Sequence, residues 1–288
     1  MMVEVLVHFV APALVGVLIG IASGLLGIGG GTVMVPIFRL AFGMSATMST
    51  ATSLFAIIPT SISGAISHVK GKTCIPALGI AAGLGGACLS PVGVWLAQLS
   101  PDWLVMLAAA LIIGYSAINM FKKAFKVPRA GQPAAGVDAS AAASLTSLGD
   151  AAAAAPTADD SSLSRKQLLQ GVAIGLVAGL ASGYVGVGGG FIMVPLMLSI
   201  IGIPMRKASG TSLIAVMILA IPGVIEQGII GNINYLAGIA IVIGTIPGAV
   251  IGARLVTKVP ERTLRLLFGC FLIVAAVMLV LNEVGIFG

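Results

Sequence analysis

The chain has 288 residues, of which 58% are hydrophobic and 8% charged, and its mean hydropathy is +1.15. Soluble domains carry about 25% charged residues, so this composition excludes a water-soluble globular protein. The net charge of +6 does not point to nucleic acid, because the Lys and Arg residues lie between apolar runs and orient a membrane protein instead.

The first half holds four long apolar runs, at about 5–27, 46–68, 74–98 and 103–123, and one short run, 32–43. The runs do not alternate as barrel strands do, so all are expected to be helices. The opening run resembles a leader, but it lacks a basic flank and its motif recurs deep in the chain, so it is expected to be a structural span. Residues 127–164 follow, rich in Ala, Gly, Ser and Pro and free of aromatics. Such a segment buries too little apolar surface to fold and is expected to be a flexible linker. Long runs then recur at about 167–188, 208–229, 234–256 and 262–283, with a short one at 191–202.

Two segments explain this recurrence. Residues 20–36 read GIASGLLGIGGGTVMVP and residues 179–195 read GLASGYVGVGGGFIMVP, identical at eleven of seventeen positions. The offset of 159 also brings Thr52-Ser53-Leu54 onto Thr211-Ser212-Leu213 and Gly64 onto Gly223. The chain is therefore read as a first transmembrane repeat, 1–126, the linker, and a second repeat, 165–288.

A twelve-residue helix reaches only ~18 Å, so each short run is either a broken crossing or a re-entrant hairpin. Placing Lys70, Lys72, Lys122, Lys123, Lys126, Arg129, Arg165, Lys166, Arg206, Lys207, Lys258, Arg262 and Arg265 on the cytoplasmic side requires five crossings per repeat. An odd number inverts the second repeat. The expected fold is an all-α polytopic membrane protein of two inverted repeats, each with four long helices and one short broken helix. Its linker is cytoplasmic and both termini are periplasmic.

A glycine turn at a helix start leaves backbone N–H groups free, and free amides at the positive end of a helix attract anions. Inversion would bring both turns together. The candidate substrate-binding residues are Ser23, Gly27, Gly29, Gly30, Gly31, Pro36, Thr52 and Ser53, with Ser182, Gly186, Gly188, Gly189, Gly190, Pro195, Thr211 and Ser212 in the second repeat. The competing reading is close helix packing by small residues, which suits scattered glycines such as Gly16 and Gly114. His68 and Glu226 lie near helix ends and are expected at the membrane interface. The three cysteines stand apart from metal-binding spacings, no catalytic pairing is evident, and neither metal nor cofactor is expected.

GLLGIGGGTVMVP at 24–36, GYVGVGGGFIMVP at 183–195 and the two TSL triplets resemble the sulfite exporter TauE/SafE family, also called the 4-toluenesulfonate uptake permease family. The resemblance covers both halves. It implies a bacterial inner-membrane transporter of small sulfur-containing anions such as sulfite or organosulfonates, with Gly27–Gly31 and Gly186–Gly190 as the substrate region. It leaves export and uptake both open. A different class, a membrane scaffold whose glycines only pack helices, is the other alternative.

Overall fold

A computed structural model describes residues 11–126 and 164–283. They form ten helices and no strand: α1 Ala11–Leu26, α2 Gly31–Phe42, α3 Ala46–Lys70, α4 Pro76–Leu99, α5 Asp102–Lys126, α6 Arg165–Val185, α7 Gly190–Leu196, α8 Met205–Ile230, α9 Tyr235–Leu255 and α10 Glu261–Glu283. A single π-helical segment, Met197–Ile201, extends α7. The expected linker lies outside the described residues except for Ser164, and so does the start of the first apolar run. Among the described residues seven helices are long and apolar enough to cross a membrane; α1, α2 and α7 are shorter. The chain is an all-helical integral membrane protein.

Local chemistry sets the helix ends. Ser45 opens α3 by accepting from the Met48 N–H at 3.2 Å, and Asn234 opens α9 by accepting from Ala237 at 3.1 Å. Ser164 and Gln167 form a reciprocal capping box on α6. Each such cap satisfies an amide that the helix itself leaves unpaired. The helix pairs α2 and α7, α3 and α8, α4 and α9, and α5 and α10 each begin 159 residues apart.

Small residues bring helices together across the two halves. On α1, a Cβ at Gly16, Gly20 or Gly24 would land on the carbonyl oxygen of Ile241, Thr245 or Ala249 of α9. On α6, a Cβ at Gly175, Gly179 or Gly183 would land on that of Ala82, Gly86 or Ser90 of α4. Backbones this close exchange many dispersion contacts, which drive association where lipid offers no hydrophobic gain. The first helix of each half therefore packs on the fourth helix of the other. Gly16 has the packing role expected of it, whereas Gly114 has open space beside it.

The same contacts fix helix direction. α1 and α9 run parallel. So do α3 and α9, since Thr52 Oγ1 accepts from the Asn234 N–H at 3.0 Å and Thr60 bonds Thr245 at 2.6 Å. α3 and α8 run antiparallel: Gly64 faces Leu213 while Leu54 faces Gly223. These two contacts are exchanged by the 159-residue offset. Because α1 and α3 share a direction, α2 and the turn before it must carry the chain back along α3.

Candidate functional site

In each glycine turn, the first three of the four glycines adopt left-handed backbone. Gly27, Gly29 and Gly30 have φ of 76°, 81° and 85°, and Gly186, Gly188 and Gly189 have 72°, 87° and 67°. An L-residue in that region costs ~1–2 kcal/mol, which explains the G-x-G-G spacing. Gly30 and Gly189 are the N-caps of α2 and α7.

The two turns touch. A Cβ on Gly31 would sit 2.5 Å from the Val187 carbonyl oxygen, and one on Gly190 would sit 2.5 Å from that of Gly27. The N-termini of α2 and α7 thus meet. Ile57 and Val216 pack on Gly29 halfway along α3 and α8, and Ile57 also packs on Gly188. Every residue from Gly27 to Gly31 and from Gly186 to Gly190 is buried. The hydrogen bonds leaving the first turn run from Gly27 N to Ser23 O and from Val33 and Met34 to Gly30 O. The amides of Gly29, Gly30 and Gly31 enter none of these bonds. In the second turn Gly190 N does find an acceptor, Gly188 O at 2.8 Å.

Three fully buried hydroxyls surround the turns without a hydrogen-bond partner: Ser23, Ser61 and Ser182. Ser23 Cβ lies beside Gly30, Ser182 Cβ beside Gly189, and Ser61 Oγ beside Gly29. An unpaired buried hydroxyl costs ~1–3 kcal/mol. Ser53 is likewise buried and unpartnered. Ser61 escaped the sequence reading because Ala220 holds the matching place, so a search for duplicated hydroxyls passes over it.

The remaining expected residues have structural partners. Thr52 Oγ1 accepts from Asn234 N, and Thr211 Oγ1 accepts from Ile75 N at 2.9 Å. Both therefore satisfy the backbone just ahead of a helix in the other half. Ser212 donates to Gly27 O at 2.7 Å, with Ser209 O as its other acceptor at 2.8 Å. Pro36 and Pro195 are buried inside their short helices; each removes one N–H and so frees a carbonyl a turn earlier. The Lys123 ammonium donates to Pro195 O at 3.0 Å and also to Ser199.

A groove of about 710 Å³ lies elsewhere, between α4, α5, α6 and the α7 segment, lined by Leu96, Ile112, Tyr115, Asn119, Val177 and Pro195 among others. It reaches Pro195 but none of the glycines. His68, expected at the interface, is instead 0% exposed. It is held between Gly24 O at 2.8 Å and Thr73 Oγ1 at 2.7 Å. No cluster of His, Cys, Asp or Glu among the described residues can hold a metal.

Known proteins resemble this chain along its length. "Probable membrane transporter protein YunE" of Bacillus subtilis (strain 168) is 26% identical, over 97% of this chain and 99% of its own. A second protein of that organism, "Probable membrane transporter protein YdhB", is 26% identical over 88% of this chain and 92% of its own. A "Probable membrane transporter protein" of Haemophilus influenzae is 29% identical over 93% and 97%. No solved structure matches. The family model described as sulfite exporter TauE/SafE matches residues 12–279, which span both glycine turns. The chain is a membrane transporter belonging to the sulfite exporter TauE/SafE family.

Proposed function

We propose that the protein is a secondary transporter that exports small sulfur-containing anions, sulfite or organosulfonates, by alternating access around the paired glycine turns. One observation carries this reading: two glycine turns, the first with free amides, meet at the N-termini of two short helices, ringed by buried hydroxyls that have no partner. Amides and hydroxyls are donors, and a small oxyanion offers acceptors on every side. The bound guest would satisfy Ser23, Ser61 and Ser182 together. Ile57 and Val216 pack on the turns, so release requires α3 and α8 to move relative to the short helices.

The antiparallel crossing of α3 and α8, and their exchange under the 159-residue offset, support inverted repeats. On that reading the short helices complete a crossing, residues 127–164 are a cytoplasmic tether, both termini are periplasmic, and the protein resides in a bacterial inner membrane. Export of an anion needs no nucleotide: ~100 mV, inside negative, supplies ~2.3 kcal/mol per charge. Uptake of organosulfonates is the runner-up for direction.

The test is flux of sulfite and sulfoacetate in vesicles bearing Gly30→Val or Gly189→Val. A fall of at least about tenfold with normal membrane assembly is expected from a side chain forced onto the left-handed cap. Unchanged flux in both variants would sink the assignment of the turns. The scaffold reading draws on the glycine stripes of α1 and α6, and predicts that no anion stabilises the purified protein.

A further inference from the structure

His68 is, among the described residues, the one ionisable side chain that is completely buried. Its carbonyl partner fixes its tautomer. Gly24 O can only accept, so Nε2 carries a proton and donates to it at 2.8 Å. Nδ1 is then free to accept from the Thr73 hydroxyl at 2.7 Å. That hydroxyl has a second acceptor, the His68 carbonyl oxygen at 3.3 Å. If a proton adds to Nδ1, the new N–H donates to Thr73 Oγ1, and the hydroxyl proton turns to His68 O. Both charge states are thus fully hydrogen-bonded without a change of backbone.

The matching place in the other half cannot titrate. Gln227 stands where His68 stands under the 159-residue offset, and Asn232 stands for Thr73. Asn232 Nδ2 donates to Gln227 Oε1 at 2.8 Å, and Gln227 is buried as well. Two equivalent latches therefore close the C-terminal ends of α3 and α8, one built from neutral amides and one from an imidazole.

Among the described residues no carboxylate bonds the imidazole at 68; Glu261 of α10 is held by the Met205 N–H at the start of α8 and by Arg265. α1 carries no ionisable residue. α8 presents Arg206 and Lys207 near Gly210, whose Cβ would touch the His68 ring. The loop after α3 adds Lys72 and Cys74, α3 itself Lys70, and α9 Arg254. A buried imidazolium without a paired anion costs several kcal/mol. The glycine turn lies close by. Gly24 is three residues ahead of Gly27, and Ser209 and Ser212, next to Gly210, pack against Gly27.

We infer that His68 takes up a proton when the twin-turn site takes up its anion. The proton bonds to Nδ1, and the guest supplies the balancing charge. This rests on the anion site proposed above and names the group that balances its guest's charge.

The experiment uses the full chain in lipid nanodiscs, with methanesulfonate as probe because it keeps one charge across the range in which histidine titrates. The chain has two histidines, so labelled imidazole signals are few, and the H68Q/T73N variant, which copies the Gln227–Asn232 pair, assigns them. Methanesulfonate should raise the pH at which His68 titrates by about one unit, a tenfold gain in proton affinity. Thermal stabilisation by methanesulfonate should need about tenfold more anion above that titration than below it in the native chain, and should be flat with pH in H68Q/T73N. Stabilisation with the same pH dependence in both proteins, or an unmoved His68 titration, would overturn the inference while leaving the anion site standing. Failure of methanesulfonate, sulfite and sulfoacetate alike to stabilise the native chain would overturn both.

Discussion

A methyl group at position 30 meets two obstacles that one at position 43 does not. Both glycines are left-handed, with φ of 85° and 59°. Gly43 has open space beside it, whereas a Cβ on Gly30 would sit 3.0 Å from Ile19 Cγ2 and 3.1 Å from Met34 Cε. Gly43→Ala should therefore lower stability by the backbone strain, ~1–2 kcal/mol, and Gly30→Ala by more; thermal unfolding in detergent reads both. Hydroxyls divide the same way. Thr52→Val and Thr211→Val each strand an amide, that of half-buried Asn234 or buried Ile75, and should each destabilise by ~1–3 kcal/mol, the second by more. Ser23→Ala removes a hydroxyl with no partner, so the empty protein should be unchanged or more stable while stabilisation by added sulfite weakens. At this scale the glycines were legible in the sequence, because only glycine tolerates the required backbone. The threonines were not. A duplicated hydroxyl has the same appearance in a sequence whether it serves a guest or a facing amide, and the facing amides lie 182 and 136 residues away.

Helices pair here through surfaces that carry almost no chemical label. Leu at Gly20 or Gly248 would drive a side chain into the backbone of α9 or α1 and should abolish folding, seen as loss of the monodisperse detergent-solubilised protein. Gly114→Ala on α5 is the control: it lies in a helix interior with nothing within 4 Å of a new Cβ, so it should raise stability by ~0.5–1 kcal/mol. Existence and length of the long helices were evident from apolar runs, and the short ones from their twelve-residue span. Which helix meets which was not, because a stripe of glycines spaced four apart fits any other such stripe. The π-helical segment at Met197–Ile201 also had no sequence signal; α2, with the same proline place, stays α-helical to Phe42.

At the scale of the molecule, α1 rests mainly on α9 and α6 on α4, so each five-helix set packs most of its opening helix against the other. Residues 1–145 expressed without 146–288 should not yield a stable membrane protein, while co-expression of the two pieces should restore a complex that purifies together and binds anion. Recovery of a stable first piece by itself would contradict the exchanged packing. The repeat itself was plain from eleven shared residues in seventeen. Its interlocking was not, since sequence offset records likeness and says nothing of which copy lends a helix to which.

That exchange has a consequence for synthesis. When α1 leaves the ribosome its glycine-lined flank has no mate, and α9 is more than two hundred residues behind it. At ~5–20 residues per second, the wait is roughly 10 to 50 s. For that time a bare ridge of backbone stands in the bilayer, and something other than this polypeptide, lipid tails or an insertion chaperone, must shelter it until the ninth helix arrives.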